Sequence, residues 1–434
     1  ILMDKRIYEN YVRILENELV PALGCTEPIA LAYAAAKAVK TLESFPDHLT
    51  VLCSGNIIKN VKGVKVPNSG GMKGVEAAAV LGAVGGDPDQ ALEVLETVGP
   101  EDLEKTKRLL AEGFCDCALK EGVANLYIEA RAVKGSGEAV VVIEGEHTNI
   151  VRIEKDGELL YEKEPEAVQD EADKPDKALL NLEDIITFAE EADLDDVRKV
   201  LERQVRYNTR IAEEGLKNPW GAQVGRVIAE EFGDDVKWRA VAKAAAGSDA
   251  RMSGCSLPVI INSGSGNQGM TCSLPVIEYG RELGKSEDEI LRALCVSNLV
   301  ALNQKKYIGS LSAYCGAVCA AAGAGAGITY LCGGTMEQIE NTVVNTIADA
   351  GGIVCDGAKP SCAAKIATSL QAAVLSHKMA MRGLTFSRGE GLVMDCPEDT
   401  IKAVGYVGRA GMKQTDVEIL NLMIGRTKLE DIEQ

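Results

Sequence analysis

Aromatic side chains are scarce in this chain, at 4% of 434 residues, with five Phe and two Trp. A core with so few rings must be filled by aliphatic and small side chains. The 44 glycines point to helices packed close together. Positive charge is also short, at 46 Lys and Arg against 65 Asp and Glu, a formal net charge of −19. That balance argues against nucleic acid and anionic membrane surfaces as partners. An anionic substrate would need a locally basic pocket or free backbone amides. Zinc-ribbon CxxC pairs are absent, and Cys115-Asp116-Cys117 is too tightly spaced for a zinc half-site. No secretory leader is read at the N-terminus, where Asp4, Lys5 and Arg6 bring charge at once. The uncharged residues 307–336 are numerous enough to span a bilayer. They are mostly Ala, Gly and Ser, without basic flanks or an aromatic belt, and read instead as a buried central helix.

What is present is a long chain with 46% hydrophobic residues, enough for two or three domains. Its 13 cysteines, an odd number, point to a reducing compartment, so a cytoplasmic location is expected. Helical periodicity runs over residues 8–20 and ends at Pro21. The next stretch, GCTEPIALAYAAAKAV, predicts a helix capped by Thr26 with Pro28 in its first turn. Cys25 then stands just before a helix N-terminus, where amides and dipole lower a thiol's pKa. Residues 49–54 read as a strand. Asn68-Ser69-Gly70-Gly71 reads as a turn able to present amides to an anion, with Lys59, Lys62, Lys65 and Lys73 around it. Helices are expected at 72–84, 88–97 and 101–112. Strands are expected at 123–133, 139–144 and 149–154, with a hairpin turn at Asp156-Gly157. His147 falls between two of these strands and reads as a surface-loop histidine.

Residues 163–176 are acidic, lack a core pattern and read as a linker. Helical signals dominate afterwards, at 182–192, 194–216, 220–232 and 236–246. The hexad CSLPVI occurs twice, at 255–260 and 272–277, around the loop INSGSGNQGMT. That loop lacks a Walker ending. Its amides and the side chains of Ser263, Ser265, Asn267 and Gln268 suit a small carboxylate. His377 reads as a packing residue on a long helix over 363–381.

The cysteines of residues 309–362 organise the rest. Cys315 opens the Ala/Gly run, while Cys355 and Cys362 bracket a short loop that contains Gly357 and Pro360. Tight loops let several thiolates converge on an iron–sulfur cluster. Three ligands rather than four would leave one iron open to substrate, as an open zinc site does. Free cysteine is also a common small core residue, and most of the 13 are read that way.

GCTEPIALAYAAAKAV, SGNQGM, the Cys315-Gly316 run and GGIVCDGAKPSC resemble the L-cysteine desulfidases, a family related to the iron–sulfur L-serine dehydratases. The resemblance covers nearly the whole chain. It implies an α+β fold: an N-terminal α/β domain over 1–170 with a small antiparallel sheet, similar to the dehydratase β region. A larger all-α domain over 171–434 follows, similar to the α region and built around the buried Ala/Gly-rich helix. It implies a 4Fe–4S cluster on Cys315, Cys355 and Cys362, and a substrate loop at 263–269. The spacing from Cys355 to Cys362 is shorter than in the dehydratases, and their C-terminal cysteine tail is missing; both departures favour the desulfidase.

The implied activity is a non-redox β-elimination of L-cysteine to pyruvate, ammonia and sulfide, without pyridoxal phosphate. Cys25 is the expected base, with Lys73 as the weaker candidate. Thr26, Glu27, Asn68 and Ser69 join the loop residues as expected substrate contacts. The rivals are L-serine dehydratase and an iron–sulfur redox sensor or carrier. The expected partner is the amino acid alone, with no nucleic acid and no membrane; a homodimer is left open.

Overall fold

The computed structural model describes residues 3–164, 175–309 and 312–432. The acidic stretch read as a linker lies outside the described residues except at its two ends.

The first part of the chain builds a six-stranded sheet with helices on one face. In chain order come α1 (Lys5–Glu18), β1 (Pro21–Leu23), α2 (Thr26–Leu42), β2 (His48–Cys53), α3 (Gly55–Val61), α4 (Val75–Gly85) and α5 (Pro100–Ala111). The strands β3 (Cys115–Leu119), β4 (Tyr127–Lys134), β5 (Gly137–Glu144), β6 (Ile150–Lys155) and β7 (Glu158–Glu162) follow. The sheet order is β3-β2-β4-β5-β6-β7. Four of its five pairings are antiparallel. The fifth, β2 with β3, is parallel, with Leu49 opposite Cys115. Strand β3 is the stretch CDCAL, whose mixed composition carries no alternating signal. Its place comes from the crossover through α3, α4 and α5, which returns the chain parallel to β2.

Helices α2 and α4 bury Ala-rich faces against each other and the sheet. A side chain at Gly82 would put its Cβ 2.2 Å from the carbonyl oxygen of Ala32, so these helices touch backbone to backbone there. Gly82→Val is expected to lower stability by about 1–3 kcal/mol through forced separation of the helices. Thermal unfolding checks this; an unchanged Tm would mean that α2 and α4 part freely.

Residues 88–97 make only a 3₁₀ turn, Pro88–Glu93, interrupted by Ala91 in the left-handed region at φ 48°. The first turn of α4 comes later than the periodicity suggests. Gly70, Gly71 and Gly74 all have positive φ and hold the preceding residues in turns.

The second part is helical, with one short strand. It contains α6 (Leu182–Glu191), α7 (Arg198–Lys217), α8 (Val224–Glu231), α9 (Val236–Met252), β8 (Pro258–Ile260), α10 (Gly266–Glu282) and α11 (Glu287–Ile308). It continues with α12 (Gly316–Leu331), α13 (Met336–Ala350), α14 (Cys362–Met381), α15 (Pro397–Tyr406) and α16 (Lys413–Met423). Helix α12 is the Ala/Gly-rich run. It is buried along almost its whole length, against α10, α11, α13 and α14. Its glycines set the spacing: a Cβ on Gly323 would lie 2.4 Å from the Ser297 carbonyl oxygen of α11. No helix among the described residues is long and apolar enough to cross a membrane. Helix α8 starts at Val224 rather than near Trp220, because Gly221 and Gln223 both sit at φ 55° and hold a loop. The two CSLPVI copies diverge: the first leads into β8, while the second lies inside α10 with Pro275 in mid-helix.

The two parts are stitched together at both chain ends. Helix α1 packs Tyr11, Ile14, Leu15 and Leu19 into the helical core, with Tyr11 edge-on to Phe188 at 5.6 Å. Strand β1 then pairs antiparallel with β8, Pro21 opposite Ile260. At the other end, Leu420 and Ile424 lie against the α/β core. The segment that follows β1 and the tail helix α16 therefore meet where the two cores face each other.

Candidate active site

Four longer helices begin around one cavity. Cys25 is the N-cap of α2 and Ser265 that of α10; Cys315 is the N-cap of α12, and Cys362 is the first residue of α14. Each such end carries unsatisfied N–H groups and positive potential. Gly24 turns the chain into α2 with φ 58°. Helix α2 opens at Thr26, so Cys25 rather than Thr26 is its cap. The Ser265 hydroxyl accepts from the Gln268 amide at 3.3 Å.

Cys315 and Cys355 are brought side by side by a single antiparallel bridge between Tyr314 and Val354. The Cys315 N–H donates to Ile353 at 2.9 Å, and the Cys355 N–H donates to Ala313 at 2.6 Å. The loop then turns at Gly357, φ 95°, where a Cβ would lie 2.1 Å from the Lys59 carbonyl oxygen of α3. Only glycine lets this loop press against the α/β part. The Cys362 thiol comes back to the Gly357 carbonyl at 3.5 Å.

The cavity is about 280 Å³ in volume, and all four of these cysteines line it. So do Glu27, Ser263, Ser265, Asn267 and Gln268. Sequence separations of hundreds of residues thus close into one wall. The other expected contacts stand elsewhere. The Asn68 amide donates to the Leu95 carbonyl at 3.1 Å and Ser69 to Met72 at 3.2 Å. Lys73 is exposed, in a bridge with Lys65. None of the three lines the cavity. Thr26 turns its hydroxyl to His147, 3.1 Å away, and the same ring nitrogen lies 3.8 Å from Glu27. His147 is therefore not a free surface histidine. It reaches from the β5–β6 turn to the first turn of α2.

Burial dominates the thiols. It pushes Cys25 up to about 11, with Arg251 pulling down and Glu27 and Cys362 pushing up. It pushes Cys315 up to about 12, with Cys355 and Cys362 adding to the rise. It raises Cys362 too, against the pull of Lys359. The lowered thiol expected at the α2 N-terminus is not what this cavity gives: desolvation outweighs the helix dipole. Burial also raises the Glu27 carboxyl, but His147 and Arg251 outweigh it and hold that group below its usual range. Cys362 acts electrostatically on Cys25 and Cys315, and Cys355 acts on Cys315 and Cys362, so the four share one environment.

Several further residues line the cavity; of these only Lys59 was marked in the sequence, as part of a basic loop. Arg251, at the C-terminal end of α9, is 9% exposed. Lys59 of α3 forms an ion pair with Asp416 of α16 across the junction. Lys305 and Tyr314 complete the wall. The one available signal for Arg251 was an arginine closing the Ala-rich run AVAKAAAGSDAR just before a glycine loop.

Among the described residues no group of three or more His, Cys, Asp or Glu side chains is arranged to hold a single metal ion. A cluster makes a different demand, because each thiolate binds its own iron and the ligands stand further apart. The donor set fits such a group: three soft thiols on two adjoining segments, beside helix N-termini that favour negative charge.

The sequence profile of the serine dehydratase alpha chain matches residues 89–421. A UPF0597 protein of Lachnoclostridium phytofermentans is 54% identical over 96% of this chain and all of its own length. Those of Desulfitobacterium hafniense and Finegoldia magna are 48% and 46% identical, over 97% and 96% of this chain and 98% and 99% of their own. Together with the convergent cysteine cavity, these matches support a lyase-type enzyme. The chain belongs to the serine dehydratase alpha-chain family.

Proposed function

We propose that this chain is a carbon–sulfur lyase that converts L-cysteine and water to pyruvate, ammonia and sulfide. The observation that carries the reading is the meeting of Cys25, Cys315, Cys355 and Cys362 in one cavity, three of them at helix N-termini. Cys315, Cys355 and Cys362 would hold a 4Fe–4S cluster. When bound, the cluster supplies a Lewis-acidic iron to draw off the leaving sulfur. Cys25, from the N-terminal part of the chain, packs beside Cys362 and is suited to take the proton from the substrate's Cα. Its raised pKa makes it a strong base once deprotonated, and Arg251 favours that deprotonated form. The 13 cysteines are all free, which suits a reducing compartment such as the cytoplasm.

A second reading is L-serine dehydration at the same site, favoured by the name of the matching family. An anaerobic assay on the iron-reconstituted protein decides between them. Equal amounts of pyruvate and sulfide from L-cysteine, faster than pyruvate from L-serine, are expected. A faster reaction with L-serine would support the second reading, and no pyruvate from either would defeat both.

A further inference from the structure

Arg251 is a buried cation with no anion. Its side chain forms no hydrogen bond or ion pair among the described residues, and its Nε is closed off from solvent. Leaving a guanidinium desolvated and unpaired is strongly unfavourable, so such a group normally has a partner. The charge is felt by Cys25 and Glu27, yet neither is within ion-pair reach. The guanidinium stem lies on the first turn of α10: a Cβ on Gly266 would be 2.4 Å from Nε. That turn adds helix N-terminal amides to the arginine's donors. Two more buried atoms in the same wall lack partners, the amide oxygens Oδ1 of Asn267 and Oε1 of Gln268. A cation with helix amides beside bare carbonyl oxygens matches one class of ligand, a small zwitterion.

We infer that Arg251, with the first turn of α10, anchors the α-carboxylate of the amino-acid substrate, and that Asn267 and Gln268 accept its ammonium. This rests on the lyase reading for its choice of substrate but not for its geometry. It makes Arg251 a specificity-determining residue. Gly266 is then small because the anchor needs the space.

The test is equilibrium binding of L-alanine, which has no β-leaving group, to anaerobically reconstituted protein, beside propionate and ethylamine. Wild type should bind L-alanine tighter than either fragment. Arg251→Met should weaken L-alanine by about ten- to a hundredfold, the range for a lost charge-assisted contact. Arg251→Lys should recover part of that. Gln268→Ala should weaken L-alanine while leaving propionate unchanged. Gly266→Ala, which pushes on the arginine without removing it, should also weaken L-alanine and covers the case in which Arg251→Met does not fold. Binding of L-alanine by Arg251→Met as tight as by wild type, in protein of normal Tm and iron content, would overturn the inference. So would ethylamine binding as tightly as L-alanine. If no amino acid yields pyruvate but L-alanine binding still depends on Arg251, the lyase reading fails and the anchor stands.

Discussion

Replacing Cys315, Cys355 or Cys362 singly by serine is expected to abolish tight iron binding and to reduce turnover by about 10³-fold or more. The magnitude follows from the Lewis acid, whose contribution of several kcal/mol corresponds to a factor of ten for each 1.36 kcal/mol. The three residues are held by different means. Cys315 and Cys355 depend on the bridge between Tyr314 and Val354, and Cys362 on the first turn of α14. Loss of one thiol therefore leaves the other two in place, and the defect should appear in iron content rather than in folding. Cys396, exposed at the start of α15, is the control: its serine variant should keep both iron and rate. Iron per chain and turnover, measured on the same anaerobic samples, check this. Full iron and unchanged rate in any one of the three variants would remove that residue from the site.

Cys25→Ala should behave differently. Cys25 is 3% exposed and packs with Val64, Met252, Ala358 and Cys362. As the base, it should be dispensable for iron binding but not for catalysis, with a rate loss of about 10²–10⁴. Exchange of solvent deuterium into the substrate Cα should be lost to the same degree. A changed visible spectrum before substrate is added would make Cys25 a resting ligand of the cluster. An unchanged rate and spectrum would leave it as packing alone.

How far this site could be read from sequence depended on the range of the forces involved. The cysteines at 315, 355 and 362 and the loop 263–269 could be picked out because local glycine and proline patterns mark tight turns next to apolar runs. Cys25 was legible for the same reason, since Gly24 and Pro28 frame a helix start. Its thiol pKa was not, because desolvation arises from Met252, Ala358 and other residues far away in the chain. The Lys59–Asp416 pair joins residues 357 apart, and the Thr26–His147 contact joins residues 121 apart; no local pattern encodes either. Asn68 and Ser69 illustrate the reverse error. Their composition suited an anion nest, but both side chains are spent on nearby backbone carbonyls that hold the loop itself. In the fold, helices with strong periodicity emerged near their expected limits. Strand β3 did not emerge, because its identity is set by β2 alongside it rather than by its own five residues.

The central claim is that the cysteine cavity holds a cluster with one iron open to substrate. Mössbauer spectroscopy of anaerobically reconstituted protein, with and without L-cysteine, tests it most directly. The account predicts four irons per chain, one of which changes its signal when L-cysteine is added while the other three do not. A spectrum that shows no cluster, or one in which L-cysteine leaves every iron unchanged while pyruvate still forms, would contradict it.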